Sequence, residues 1–371
     1  MLTLHVVTED IRASLKWGAI AIIGIIVLIS VFNLIKATLF RPKPSLPTMS
    51  YGLLPAIPFP KNSTTQPLSY ILNTVDGTTH IIDPTTNQVK VIPDRMNIYK
   101  IIRPQPDLTS LQTSNDEVQA IGFVTQDDIN QVIPAQRLSD TEYEWDKNYG
   151  LPQSLTMDIA SHNFHLTSQY LNYPAVLSAS NAPTDSSAIN TVQNVLSAMQ
   201  LTPTDIDTSL TTTTDYVIVN GIIRPAQPGE NVMAVRVNFF QNAVDGYQIF
   251  YPSNPNTAMS FLVTGGDTQA EIAQATFVHQ VIDSSTSSTY PIKTADQAYA
   301  DLQAGKGYIT LSYTGGNSVN IRTVNLGYYM GEVFQDYLMP VYVFQGDNNF
   351  TAYVSAVTDN ETTTAQPSPA E

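Results

Sequence analysis

Residues 291–307 read PIKTADQAYADLQAGKG and contain a short helix whose two ends are both marked. Thr294 is suited to the N-cap, and Gln297 follows three residues later, which is the spacing of a capping box. Gly305 is placed to end the helix. The apolar side chains that share one face are Ala295, Ala298, Tyr299 and Leu302. The segment therefore predicts an amphipathic helix of about nine residues.

Four strand-like runs follow this helix, and turns rich in glycine separate some of them. The runs are rich in β-branched and aromatic residues, which favour strands. They cover residues 308–313, 319–328, 339–344 and 350–357. The pattern predicts one helix packed on a four-stranded antiparallel sheet over residues 286–357.

Residues 181–285 show the same order of elements. Apolar residues at helical spacing cover 186–199, and strand patterns follow at 216–219, 232–240, 247–251 and 259–263. Residues 272–281 are interpreted as one more strand. The turn NAVDG at 242–246 predicts a hairpin between the strands beside it. This segment is thus a second helix-plus-sheet unit.

Residues 68–180 form the third expected domain, a β-rich region of short strands with a hairpin at Asp76-Gly77. Together the three regions predict an α+β fold that is mostly antiparallel β. Helix-plus-four-stranded-sheet units are expected to follow one N-terminal transmembrane helix.

Composition excludes several classes of function. The chain has 371 residues, no cysteine and a net charge of −15, although residues 1–50 carry a net charge of +3. The lack of cysteine excludes disulfides, zinc sites with thiolate ligands and cysteine nucleophiles. An acidic body repels phosphate groups, so no nucleic-acid partner is expected.

Residues 17–35 contain no charged side chain and are apolar on every helical face. Nineteen helical residues span about 29 Å, which is close to the thickness of the hydrocarbon core of a bilayer. We expect a transmembrane anchor at 17–40 after a cytoplasmic tail at 1–16. The alternatives are a buried core helix and a cleaved signal peptide, but no small-residue cleavage site is evident.

The body after this anchor is expected outside the cytoplasm, in a single-pass cell-membrane protein. Charges on both sides of the span do not decide its orientation, and the long polar, acidic body favours export. Seven prolines in residues 41–67 predict a semi-rigid stalk. Residues 358–371 are predicted to be a disordered tail.

Several segments resemble a known group of proteins. Residues 235–251, VRVNFFQNAVDGYQIFY, are similar to the strand–Asp-Gly–strand hairpin of PepSY-like modules and of YycH/YycI-type regulators. Residues 291–307 resemble the helix that opens the following unit in those proteins. NLGYY at 325–329 and LMPVYVF at 338–344 resemble later strands. The resemblance covers residues 230–357, approximately.

This resemblance implies a role without catalysis. YycH/YycI-type proteins have a short cytoplasmic tail, one span and a β-rich extracytoplasmic body, and they regulate a histidine kinase by contact at the membrane. PepSY modules are considered binding or inhibitory domains. The matched motifs consist of strand and turn residues, so no functional residue carries over.

Catalytic and metal-binding motifs are absent from the sequence. It contains no Ser-x-x-Lys, Gly-x-Ser-x-Gly, P-loop, Gly-x-Gly-x-x-Gly or His-Glu-x-x-His. His162 and His165 would share one face of a helix, but in a strand they point to opposite faces. Asp205 and Asp207 are interpreted as turn or cap residues. We expect no enzyme activity, no metal site and no cofactor.

Tyrosines near the C-terminus are the remaining candidates for a binding face. Tyrosine suits partner surfaces because it combines a large ring with a polar tip, but it also packs well in an ordinary sheet. The candidate binding residues are Tyr328, Tyr329, Tyr337 and Tyr342.

The resulting hypothesis is a membrane-anchored regulatory or scaffolding protein of the cell envelope. Its expected partners are the lipid bilayer and another envelope or membrane protein. The alternatives are a glycan- or peptide-binding module and an unrecognised envelope hydrolase.

Overall fold

Two β-sheets, one of eight strands and one of nine, form the framework of the protein. The structure is a computed structural model that describes residues 48–61, 68–83, 86–178, 182–253, 256–266 and 270–363. Residues from Thr48 onward form one unit.

The strands are, in chain order, β1 (Ser69–Leu72), β2 (Arg95–Ile101), β3 (Gln136–Arg137), β4 (Glu142–Lys147), β5 (Gln153–Asp158), β6 (Phe164–Ser168), β7 (Thr212–Val219), β8 (Ile222–Pro225), β9 (Ala234–Phe239), β10 (Ile249–Phe250), β11 (Met259–Gly265), β12 (Ala270–Phe277), β13 (Ile282–Pro291), β14 (Tyr308–Ile309), β15 (Ser318–Tyr329), β16 (Tyr337–Gly346) and β17 (Thr351–Ser355). The α-helices are α1 (Ser110–Ala120), α2 (Pro174–Leu177), α3 (Asp185–Ala198) and α4 (Ala295–Gln303). Short 3₁₀ turns lie at Tyr170–Asn172, Thr208–Leu210 and Asp359–Glu361.

The nine-stranded sheet is antiparallel at every pairing, in the order β3-β4-β5-β6-β12-β11-β9-β7-β8. Side chains from α1 and α3 share one apolar core with it, around Trp145 and Phe261. A second core, on Leu262 and Ala273, includes side chains of the 3₁₀ turn at 170–172 and of α2. Because neighbouring residues of a strand point to opposite faces, Phe261 and Leu262 belong to different cores.

The eight-stranded sheet contains the path β1-β15-β16-β17-β14, with β10, β2 and β13 attached to it. Two short strands, β1 and β10, pair with β15 in parallel, and the remaining pairs are antiparallel. In β16 seven consecutive residues, from Leu338 to Phe344, are buried. Burial without alternation means that both faces of this strand are covered.

Both amphipathic helices predicted from the sequence are confirmed. In α4 the Thr294 hydroxyl accepts a hydrogen bond from the Gln297 backbone N–H, and Gln297 Oε1 accepts one from the Thr294 backbone N–H. In α3 the capping box joins Thr184 to Ser187. Each helix buries its apolar stripe against one of the two sheets.

The α+β, mostly antiparallel fold class is confirmed, but the division into four-stranded units is wrong. The nine-stranded sheet combines β3 to β6 from the expected domain 68–180 with strands from the expected unit 181–285. Those strands are β7, β8, β9, β11 and β12, whereas β10 joins the eight-stranded sheet. β1, β2 and β13 instead join the sheet built from the expected unit 286–357. Local patterns identified strands, whereas sheet membership depends on pairings between distant residues.

The two predicted Asp-Gly hairpins also differ in their pairing. Asp245 and Gly246 do turn the chain with positive φ values of 53° and 76°. Only Val244 and Tyr247 pair across this turn, because β9 continues into the nine-stranded sheet and β10 into the other. β1 pairs with β15 in parallel instead of with the residues after Gly77. An Asp-Gly turn thus set the chain reversal without deciding the strand partner.

Residues 48–61 pack on the eight-stranded sheet, so the predicted stalk at 41–67 is wrong over this part. Leu54 and Ile57 are buried in the core that contains Tyr329 and Tyr353. The Phe59 ring lies 4.8 Å from that of Tyr329, centroid to centroid. Proline prevents regular pairing, but it does not prevent apolar neighbours from being buried.

The C-terminal tail predicted at 358–371 is likewise ordered at its start. The Leu54 N–H donates to the Glu361 carbonyl, and the Thr363 N–H donates to the Leu54 carbonyl. Residues 364–371 lie outside the described residues, as do the predicted cytoplasmic tail at 1–16, the predicted anchor at 17–40 and residues 41–47 and 62–67 of the predicted stalk. Where the structure describes the chain, it contains no helix with the length and apolar character needed to cross a membrane.

Candidate functional site

A cleft of about 400 Å³ lies where the two sheets meet, and we call it the seam cleft. Its walls are chain segments that leave or connect the sheets: the segment after β2, the turn between β5 and β6, the crossing from β12 to β13 and the turn between β15 and β16. The side chains that matter for its chemistry are Arg103, Asp158, His279 and Glu332.

His279 is held from two sides. Its backbone N–H donates to Asn163 Oδ1 at 2.9 Å, and its Nε2 lies 2.7 Å from Asp205 Oδ1. Gln241 Nε2 donates to the other carboxylate oxygen of Asp205 at 2.8 Å. Burial of Asp205 opposes its ionisation, but the hydrogen bonds from His279 and Gln241 outweigh it and lower the pKa of this carboxyl. The imidazole therefore has a fixed, charged neighbour.

Gln280 continues this network across the seam. Its Nε2 donates to the Gly331 carbonyl at 2.7 Å, and its backbone carbonyl accepts from Gln241 Nε2 at 3.2 Å. Gln335 N–H donates to Gln280 Oε1 at 3.3 Å. Gln241, Gln280 and Gln335 are all buried, so their hydrogen bonds join the two sheets in a region shielded from water.

Asp158 ends β5, and both of its carboxylate oxygens accept hydrogen bonds, one from the turn that follows and the other from the residue that precedes β4. Oδ1 accepts from the backbone N–H groups of Ala160 at 3.0 Å and Ser161 at 2.8 Å. Oδ2 accepts from Thr141 Oγ1 at 2.6 Å. A carboxylate bound in this way shapes a turn and is poorly placed to act as a general base.

The mouth of the cleft is apolar and exposed. Ile102 and Val281 line it and expose 52% and 47% of their surface, and the Ile102 N–H donates to the Val281 carbonyl. Beside them the Arg103 guanidinium lies 3.8 Å from the centroid of the Phe334 ring and 3.3 Å from Asp336. Grouped exposed apolar residues with a polar rim are typical of interaction surfaces.

The ionisable side chains of the seam cleft are held by neighbouring groups. The fourth ionisable group, Glu332, accepts a hydrogen bond from Ser253 Oγ at 2.7 Å. Each of the four charged or titratable side chains that line the cleft thus has a structural partner. Across the described ranges, no three His, Cys, Asp or Glu side chains gather as a metal site would require.

Three of the four tyrosines predicted as a binding face lie in the core, so the prediction is wrong for them. Tyr328, Tyr329 and Tyr342 are fully buried, while Tyr337 is half-buried against the ring of Tyr51 at 5.2 Å. β15 and β16 are covered on both faces, so rings that an open sheet would expose are enclosed here. Burial strongly raises the pKa of all three buried tyrosines.

The hydroxyl groups of Tyr328 and Tyr342 form hydrogen bonds inside the protein. Tyr328 Oη donates to the Asn97 carbonyl at 2.9 Å and lies 3.3 Å from Asp245 Oδ2, while Tyr342 Oη donates to the Lys293 carbonyl at 2.8 Å. The Tyr329 hydroxyl has no hydrogen-bond partner among the described residues. These contacts connect β15 and β16 to neighbouring strands and loops.

The two histidines considered as a metal pair have separate surroundings. His162 lies in the turn before β6 and its Nδ1 is 2.8 Å from Glu117 Oε2 of α1. His165 is exposed on β6, with Nδ1 3.4 Å from Thr276 Oγ1. Asp207 caps the 3₁₀ turn at 208–210 by accepting from the Ser209 N–H, as expected for a cap residue.

The sequence did not indicate the seam cleft. Asp205 and His279 are 74 residues apart, and Glu117 and His162 are 45 apart. No local pattern marks such pairs, because they meet only when the strands between them are assembled. The prolines in residues 102–106 came closest to indicating this cleft, because they predict an irregular segment where one of its walls lies.

Comparisons with known proteins give one structural match. It joins this chain to the crystal structure of an uncharacterized protein from Eubacterium rectale, with a TM-score of 0.31 and 10% identity, covering 73% of this chain and 81% of that one. No family model and no curated protein sequence matches the chain.

Proposed function

We propose that this chain is a membrane-anchored protein of the cell envelope that acts without catalysis, by contact with another envelope or membrane protein. Residues 17–40 would hold it in the bilayer with the N-terminus in the cytoplasm and the body outside. The observation that carries the proposal is the exposed apolar mouth of the seam cleft, formed by Ile102 and Val281.

The apolar mouth has the character of a contact surface for a protein. The two side chains come from different parts of the chain, the segment after β2 and the crossing from β12 to β13, so they form a patch that depends on the folded body. Arg103 and Asp336, which are 57% and 63% exposed at their side chains, supply a polar rim. The expected partner is a protein segment with apolar side chains at its centre and polar groups around them.

The packing of residues 48–61 supports action near the membrane. The backbone N–H of Met49 donates to the Thr289 carbonyl, and Ser50 N–H donates to Ser288 Oγ, so the body begins close to residue 48. In the proposed arrangement seven residues, 41–47, separate the anchor from the body, and a chain of that length spans at most about 25 Å. A partner would therefore be met close to the membrane surface.

Site-specific photo-crosslinking in membranes of the producing cells tests this function. A photoreactive residue at position 281 is expected to give a discrete, saturable adduct, which Ile102→Asp abolishes. Val219 provides the control, because it is also a half-exposed valine, 44% against 47% for Val281, but does not line the cleft. The same adduct from position 219, or no adduct from position 281, would reject the proposal.

The membrane topology is tested separately. A reporter that is active only outside the cytoplasm, fused after residue 371, is expected to be active, and carbonate washing is expected to leave the protein with the membranes. An inactive reporter would reject the export of the body, and release of the protein by carbonate would reject the anchor. Both conclusions hold whatever the crosslinking result.

A further inference from the structure

A second cavity, of about 470 Å³, lies between α3 and the nine-stranded sheet, and we call it the helix–sheet cavity. It is separate from the seam cleft and shares no lining residue with it. Thr191, Asn194 and Val195 of α3 form one wall, and strands β4, β5, β6 and β12 supply others. Pockets for small ligands commonly have volumes between about 300 and 1,000 Å³.

The floor of the helix–sheet cavity is apolar and preformed. Phe164, Leu166 and Ile272 contribute to it, and each is buried, with at most 7% of its surface exposed. These side chains belong to the same core as Trp145 and Phe261, so the rest of the sheet holds them in place. A ligand that enters would therefore bury apolar groups against a surface that does not need to rearrange.

Lys147 brings a positive charge into this apolar surrounding. It is two residues from the buried Trp145 on β4, so it points to the same covered face of the sheet. Its ammonium lies 5.5 Å from the centroid of the Phe123 ring and 6.0 Å from that of Tyr149. Burial lowers the pKa of Lys147, against the opposing influence of Glu271.

The ammonium of Lys147 retains its hydrogen-bonding capacity. Across the described ranges, it makes no ion pair within 4.0 Å, unlike Lys293 and Lys306, and its contacts are with aromatic faces. An ammonium has three N–H donors, and the half-buried Lys147 can present them to a ligand. A carboxylate placed against Lys147 would satisfy them.

Glu271 supplies the opposite charge in the same cavity. It lies on β12 beside the buried Ile272 and lines the cavity, close enough for its charge to act on Lys147. A ligand with only a negative group would satisfy Lys147 but would also face the Glu271 carboxylate. A ligand with both signs of charge can place its negative group against Lys147 and turn its positive group toward the Glu271 carboxylate.

We propose that the helix–sheet cavity binds a small zwitterion with apolar side chains, of the class of free amino acids and short peptides. Its carboxylate accepts hydrogen bonds from Lys147 Nζ, its ammonium faces Glu271, and its side chains lie on Phe164, Leu166 and Ile272. The cavity volume suits a dipeptide with two branched aliphatic side chains. This site is independent of the partner surface proposed at the seam cleft.

Calorimetric titration of the full-length chain in detergent with leucyl-leucine tests the proposal. We expect saturable binding of one dipeptide per chain, and binding at least tenfold weaker for both the N-acetylated and the C-amidated dipeptide. Lys147→Met is expected to weaken binding of leucyl-leucine at least tenfold. The matched control is Lys100→Met, which removes an exposed lysine that also lies over an aromatic ring, that of Tyr51.

Two further variants separate loss of the site from loss of the fold. Val195→Trp is expected to fill the cavity from α3 and abolish binding without a change in the thermal unfolding temperature beyond a few degrees. Glu271→Gln is expected to remove the preference for the free amine, so that the N-acetylated dipeptide binds as well as leucyl-leucine. Absence of binding to the unmodified chain, equal binding to Lys147→Met, or equal binding of the N-acetylated dipeptide to the unmodified chain would overturn the proposal.

Discussion

The two sheets use their apolar faces in different ways. The eight-stranded sheet is rich in tyrosine, and the chain itself covers both of its faces, with α4 on one and residues 48–61 on the other. The nine-stranded sheet has fewer aromatic residues, and α3 leaves a cavity of about 470 Å³ over part of one face. Aromatic density therefore marks the tightly packed sheet here, and the open surfaces lie elsewhere.

The largest effect is expected inside the eight-stranded sheet, at Tyr353. This ring is fully buried beside Tyr308, Tyr329 and Phe250. Tyr353→Ala should lower the free energy of unfolding by about 3–5 kcal/mol, as found for large aromatic truncations. Urea denaturation measures this loss.

Tyr353→Phe serves as the control because it keeps the ring and removes only the hydrogen bond to the Tyr251 carbonyl, which is 2.7 Å long. Its expected cost is about 1 kcal/mol. Equal costs for the two variants would mean that ring packing does not hold this sheet together.

Leu54 tests whether residues 48–61 truly close the second face of the eight-stranded sheet. Its side chain is fully buried, so Leu54→Ala should cost about 2–5 kcal/mol in urea denaturation. The neighbouring Leu53 is 58% exposed, and Leu53→Ala should change stability by less than about 0.5 kcal/mol. Similar small changes for both would restore the interpretation of this segment as a loose stalk.

The N-caps of α3 and α4 allow the same substitution to be compared on the two sheets. Thr184→Ala and Thr294→Ala each remove a side-chain acceptor for a backbone N–H, and each should cost about 1 kcal/mol. Thermal unfolding monitors both. Replacement by serine keeps the acceptor and should recover most of the loss, which a general packing defect would not allow.

The smallest effect is a pH dependence in the nine-stranded sheet. The hydrogen bond to Glu117 raises the pKa of His162, helped by the charges of Glu117 and Asp158 and opposed by burial. A raised pKa in the folded state means stabilisation that is complete below about pH 6.5 and is lost as the pH rises through the folded-state value.

For this pair we expect a loss of a few tenths to about 1 kcal/mol between pH 6 and pH 9, within the range of partly exposed ion pairs. Glu117→Gln should flatten this change, so the difference in unfolding free energy between the chain and the variant should shrink as the pH rises. A difference that stays constant with pH would show that His162 is not charged in the folded protein.

The sequence determined the local elements well where one face had to be buried. Both capping boxes, the helices that follow them and the strands at 318–329 and 337–346 follow from short-range patterns of apolar and capping residues. These patterns report interactions within a few residues, which hold in any fold that buries the same face. The α+β class, mostly antiparallel, follows from them.

Only the tertiary structure decided which sheet each strand joins and which surfaces stay open. The assignment of β9 and β10 to different sheets, the burial of Tyr328, Tyr329 and Tyr342, and the packing of residues 48–61 all depend on contacts between distant segments. The seam cleft and the helix–sheet cavity arise in the same way, as spaces left between assembled elements. A tyrosine or proline has the same local preference in a core, a stalk or a binding face, so the sequence alone could not separate these outcomes.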